Sequence, residues 1–167
     1  MKKVANITAF LLLSAFLVLA SCTKICDEPP VDDLNALYLK FRTEGEASFT
    51  DEELESFYMV RYFDVPGDSL TFPDDTVFYH GHFYDGSANQ IRLSNDTPFR
   101  NDSIFYVRYN YGLYFESDST LSYLLTDIDL DGTYVGECDY ENVKKTFHIN
   151  DQLVDMSAST DNYEIKK

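Results

Sequence analysis

From Leu34 onward the chain alternates apolar and polar residues with a period of two, in short segments separated by turn signals. Leu37, Leu39 and Phe41 alternate with Tyr38, Lys40 and Arg42. Such alternation places one set of side chains on each face of an extended strand, one buried and one wet. Residues 56–64 repeat it with Tyr58, Val60 and Tyr62 on one face, before the breaker Pro66-Gly67-Asp68. Residues 76–84 follow, closed by Asp85-Gly86, and residues 88–94 form a shorter candidate. Residues 103–110 set Phe105, Val107 and Tyr109 against Tyr106 and Arg108, and 111–116 extend them or add a short strand. Residues 120–130 place Leu124, Thr126, Ile128 and Leu130 on one face, ahead of a turn at Asp131-Gly132. Residues 133–138, 143–150 (with Val143, Phe147 and Ile149) and 153–156, an edge candidate, complete the set. The only helical signal is a capping box, Thr50 with Glu53, ahead of Leu54, enough for a single turn.

Short strands with turn signals every eight to twelve residues or so predict an antiparallel β-sandwich, immunoglobulin-like or transthyretin-like in shape. A closed antiparallel barrel is the alternative. The length, 167 residues, allows one ordinary domain. A formal net charge of −16 excludes a basic surface for neutralising phosphates, so no nucleic-acid partner is expected. Acidity of this kind also accompanies disorder, but disorder goes with few aromatic residues. Here thirteen tyrosines and thirteen phenylalanines are spread along the chain, so a packed core is expected.

The N-terminus obeys different rules. Lys2 and Lys3 precede the apolar run AFLLLSAFLVLA at residues 9–20, and no acidic residue appears before Asp27. The run is shorter than the roughly 20 residues that cross a bilayer and suits the apolar region of a secretory signal peptide. Leu19-Ala20-Ser21-Cys22 at its end resembles the lipobox of bacterial lipoproteins. The resemblance implies cleavage before Cys22, diacylglycerol on its thiol and a further acyl chain such as palmitate on its amine. Several acyl chains anchor a protein stably where one does not. The expected divisions are therefore a signal peptide at 1–21, a lipidated tether at 22–33, a single β-sandwich domain at 34–157 and a polar C-terminal tail at 158–167. The membrane is the partner implied by the lipid. Thr23 after the cysteine resembles the outer-membrane class, with the periplasmic or cell-surface face left open.

Two cysteines then remain, Cys26 and Cys138, an even number in an exported protein. A disulfide between them would close a loop of about 110 residues, worth roughly 4–5 kcal/mol in the chain-entropy account. Free thiols are the alternative. No CxxC motif supports redox chemistry.

Taken together, a lipobox, a short acidic tether and a Tyr/Phe-rich β domain resemble small Bacteroidetes lipoproteins. The residues that carry the likeness are Phe49, Thr50, Glu52, Glu53 and Leu54, followed by Tyr58, Val60 and Tyr62. These families are largely uncharacterised, so the resemblance implies location and architecture and no activity. It also brings in the D-[S/T]-apolar/Thr sites that such bacteria glycosylate, here Ser69, Thr76, Ser103 and Ser119, each after an aspartate.

Chemistry-bearing motifs are sparse. Asp127, Asp129, Asp131 and Gly132 match the opening of a calcium-binding loop, but its twelfth position, which needs a bidentate glutamate, is Cys138. Ile128 and Leu130 between the aspartates read as the inward face of a strand, which sends the aspartates to solvent. His80 and His82 share one strand face at a spacing compatible with zinc, with His148 the only other histidine. No nucleophile elbow and no glycine-rich phosphate loop occurs, and paired carboxylates are the only hydrolytic option among 29 acidic residues. The expectation is a non-enzymatic envelope module without a cofactor, binding or structural, whose exposed aromatics meet a protein or a carbohydrate. An envelope hydrolase and a calcium-stabilised module are the alternatives.

Overall fold

The computed structural model describes residues 35–63, 73–83, 86–87, 89–100, 105–135, 139–157, 159 and 162–167. Cys22, Cys26, Cys138, Ser69 and Ser103, with the stretches expected to be a signal peptide and tether, lie outside the described residues.

The alternating segments form two sheets. The larger has six strands: β2 (Phe57–Phe63), β3 (Pro73–Phe78), β5 (Tyr109–Phe115), β6 (Ser122–Val135), β7 (Asp139–Ile149) and β8 (Gln152–Asp155). Their order is β3-β2-β5-β6-β7-β8, antiparallel throughout. The smaller sheet contains β1 (Leu37–Phe41) between β4 (Gln90–Leu93) and β9 (Tyr163–Ile165). The two sheets pack as an all-β sandwich, and no closed barrel forms.

Burial follows the period-two pattern. Leu37, Leu39 and Phe41 of β1 meet Phe57 and Met59 of β2 and Tyr111, Leu113 and Phe115 of β5 in one continuous core. Phe41 ties the sheets together, its ring edge-on to Phe57 at 4.9 Å and to Phe115 at 5.8 Å. Each such pair adds about 0.5–1.5 kcal/mol beyond the area it buries. The capping box forms as read: Thr50 Oγ1 accepts from the Glu53 amide and Glu53 Oε2 accepts from the Thr50 amide at 2.7 Å. It starts the five-residue α1 (Asp51–Glu55), whose Leu54 plugs the core.

Several expectations are corrected. Residues 158–167 are no polar tail: β9 lies within them, pairs in parallel with β1 and buries Ile165 to 1% exposure. The pairing supplies an apolar slot that a three-residue sequence pattern does not announce. Of the expected strand at 103–110 only Tyr109 and Asn110 are strand, as the start of β5, because residues 106–108 wind into a 3-10 turn closed by the Arg108 amide on the Phe105 carbonyl. Alternation alone does not distinguish the two. Residues 76–84 end as a strand at Phe78, since His80 and Gly81 turn the chain at φ +46° and +73°.

Asp131-Gly132 is not a turn but a register shift inside the unbroken β6. An earlier shift corrects the face assignment of that strand. Asp127, at φ +50°, and Ile128 together oppose Phe147, so one residue is added between the Thr126–His148 and Asp129–Thr146 pairs. Such a bulge reverses the alternation. Leu125 and Ile128 therefore both enter the core, while Leu124 and Thr126 share the opposite face. The second shift returns the extra residue on β7, at Val143, which is 60% exposed instead of buried.

Candidate functional site

Among the described residues the small sheet covers one face of the large one and no sheet covers the other, bare face, although Val60, Asn110 and Gly112 on it are buried. Cross-strand register maps the bare face row by row. One row runs Phe78, Tyr58, Tyr114, Ser122; the next Thr76, Val60, Gly112, Leu124; the third Tyr62, Asn110, Thr126, His148, Leu153. Aromatic residues occupy the β3-β2-β5 half, and hydroxyl, amide and charged groups the β6-β7 part.

In the aromatic half the rings form a column across the strands. His80 stacks on Phe78 at 5.8 Å, Phe78 on Tyr58 at 5.2 Å and Tyr58 on Tyr114 at 5.4 Å, with interplanar angles of 12°, 28° and 29°. Tyr114 lies across Gly112, where a Cβ would come within 2.3 Å of its ring. Glycine is required there because the ring takes the place of its side chain, an arrangement that repairs the weak spot a glycine makes in a strand. The Tyr62 and Tyr114 hydroxyls bond at 3.1 Å. Partial burial, then that bond, push the Tyr114 hydroxyl well above the usual tyrosine range. Phe78 and Tyr58 each have a ring on either side, so the middle of the column offers solvent its edges and its hydroxyl rim. Phe78, at the open side, is 49% exposed.

The other half gathers the calcium-loop aspartates and disperses them. Asp129 pairs with Lys144 across the strands, and Asp127 Oδ2 lies 3.2 Å from His148 Nδ1. Ile128 is buried and Leu130 partly so, while Asp127, Asp129 and Asp131 are exposed. Each of the first two aspartates is thus turned to a basic partner. Among the described residues no group of three or more His, Cys, Asp or Glu side chains gathers to hold a metal ion. His80 and His82 do not share a strand face, because the turn at His80 and Gly81 separates them. Of the residues expected from the D-[S/T] pattern, Thr76 lies exposed on the outer strand β3 and Ser119 in the exposed turn before β6.

Two further features carry almost no sequence signal. Arg61, in the middle of an aromatic strand, turns inward, its guanidinium 4.4 Å from the Tyr109 ring centre and 5.0 Å from that of Phe99, and pairs with Asp74. A cavity of about 230 Å³ lies behind Phe78, bounded by Val77, Tyr79, His82, Phe83, Arg92, Thr97 and Pro98. Its walls come from two separate chain segments, so no local motif marks it. An arginine inside the apolar frame of β4 is the one hint, since a buried charge calls for partners.

Compared with known proteins, the chain matches no family model, no curated protein and no solved structure.

Proposed function

We propose that this is a lipid-anchored envelope protein, held by Cys22 at the outer membrane, whose sandwich acts as a non-enzymatic binding module. The aromatic half of the bare face is its contact surface, and the partner is a protein. One observation carries the reading: Phe78, Tyr58, Tyr114 and Tyr62 form a contiguous aromatic surface on the side away from the core. Tyrosine supplies large rigid contact area with a polar rim at low entropic cost, which is why it is enriched where proteins meet. Sugar stacking needs an open ring face, and in this column the faces are used internally. That favours a protein over a carbohydrate.

A photo-crosslinking amino acid tests the surface. Placed at Tyr62 in intact cells, it is expected to give a discrete protein adduct that the same probe at Thr146 does not give. Equal adducts at both positions, or none at Tyr62, defeat the reading. The anchor is tested separately by mass spectrometry of the mature N-terminus. An acylated Cys22 is expected; an unmodified Cys22, or a start elsewhere, defeats it.

A further inference from the structure

The sandwich has two unlike ends. Phe41, the last residue of β1, meets Phe57 at the start of β2 and Phe115 at the end of β5. The opposite end thus holds the start of β1, the end of β2 and the start of β5. There the Tyr106 hydroxyl donates to the Asn35 carbonyl, so the segment leading back to Cys22 leaves from this end. Among the described residues the exposed large apolar side chains are Phe63, Phe78, Phe105, Val143 and Leu153, and three of them lie at this end or beyond it. Phe63 closes β2, Phe105 precedes the 3-10 turn at 69% exposure, and Val143 stands on the stretch of β6 and β7 that runs past the start of β5. Phe78 stands at the far end and Leu153 on the bare face.

Charge divides the ends as well. Glu44, Glu46, Asp51, Glu52 and Glu116 are exposed at the far end, and none has an ion pair among the described residues. At the tether end Asp74, Asp96 and Asp129 are matched by Arg61, Arg92 and Lys144. Arg108 is exposed there with no ion pair among the described residues. Asp131 and Glu141, exposed on the extending hairpin, stay unmatched among them too.

We infer that the tether end is a membrane-docking surface, on which Phe63, Phe105 and Val143 enter the interfacial layer of the bilayer and Arg108 meets lipid phosphate. The inference rests on the anchor at Cys22. Aromatic side chains settle at the headgroup level, and a guanidinium suits a phosphate. The dozen residues between Cys22 and Asn35 span about 40 Å at full extension. The tether therefore permits contact without enforcing it, and these side chains supply the hold. Asp131 and Glu141 select a zwitterionic surface over an anionic one, since like charges repel. Docked in this way, the domain turns Phe78, Tyr58 and Tyr114, at the other end of β2 and β5, away from the bilayer and toward a partner.

The chain has no tryptophan, so a single introduced one reports alone. Phe105→Trp and, separately, Glu116→Trp are made in the full acylated chain and placed on phosphatidylcholine vesicles with brominated acyl chains. Both positions are exposed, so neither substitution touches the core. Emission from position 105 is expected to shift to the blue and to be quenched at least about twofold more than from position 116. Added phosphatidylglycerol is expected to weaken that quenching. Co-sedimentation of the same samples keeps the two readings apart. A chain that stays in the supernatant defeats the anchor and the docking with it. A chain that sediments while both positions are quenched alike defeats the docking alone. Emission from position 105 that is already blue without vesicles means that a second copy covers this end, and overturns the assignment to lipid. Quenching that strengthens with phosphatidylglycerol overturns the choice of a zwitterionic surface.

Discussion

Phe57 and Tyr58 are neighbours on one strand, yet they belong to two aromatic systems built on different rules. On the inner side Phe41, Phe49, Phe57, Phe83 and Phe115 meet at angles from 12° to 74°, each nearly or fully buried. On the outer side His80, Phe78, Tyr58 and Tyr114 lie within 29° of their neighbours and keep part of their surface in water. Varied angles fill volume between two sheets; near-parallel rings tile one sheet. Stability therefore resides mainly in the first set, and the second is free to serve contact.

The largest effect is expected inside. Phe41→Ala should cost about 3–5 kcal/mol, because the ring spans both sheets and no neighbour can replace it. Denaturant melts check this, and a loss under about 1 kcal/mol would erase the distinction between the two systems. Alkali gives the next test. Burial raises the hydroxyls of Tyr79, Tyr106 and Tyr111 far above the ordinary range, and that of Tyr123 to about 12, burial first and the Glu53 carboxylate second. Above pH ~10 the unfolded chain gives up protons that the folded chain retains, so stability falls as pH rises. Tyrosinate absorbance should therefore rise in a late step coincident with loss of circular dichroism; a single smooth titration of a still-folded protein would contradict it.

Outside, the effects shrink. Gly112→Ala forces the Tyr114 ring away and should cost about 1 kcal/mol, the worth of its ring contacts. The informative variant is the double one: with Tyr114→Ala already present, Gly112→Ala should cost almost nothing further. Additive losses would mean that the ring does not stand in for the missing side chain. The smallest change is a gain. Lys145, on the inner face of β7, is 6% exposed and makes no ion pair among the described residues, and burial lowers its pKa. Unfolding binds a proton there, so this lysine makes stability rise with pH toward ~10.4. Lys145→Met should raise the melting temperature at neutral pH, with the gain fading toward pH 10.

Much of this contrast is legible in the sequence. The alternation around Phe57 and Tyr58 announces two faces, and Thr50 with Glu53 announces the single helical turn. The choice of core face is not legible there, since Tyr58, Val60 and Tyr62 read as apolar as Phe57 and Met59. The bulge at Asp127 escapes because its backbone conformation is rare for any residue but glycine. It therefore inverts a pattern that looks regular on both sides. The cavity behind Phe78 escapes for another reason: residues 77–83 and 92–98 form a wall only after β4 has joined β1 in the opposite sheet. Proximity of that kind is a property of the packed molecule.

The parallel pair of β1 and β9 has a consequence for how the protein comes into being. Arg42 and Glu164, 122 positions apart, hold each other at 2.6 Å, and no strand between them substitutes for that contact. A chain delivered N-terminus first cannot close its smaller sheet until β9 arrives. Contacts of such long range are slow to form. Closure of the smaller sheet is thereby deferred until residues 163–165 are available to β1, long after β1 itself has been made.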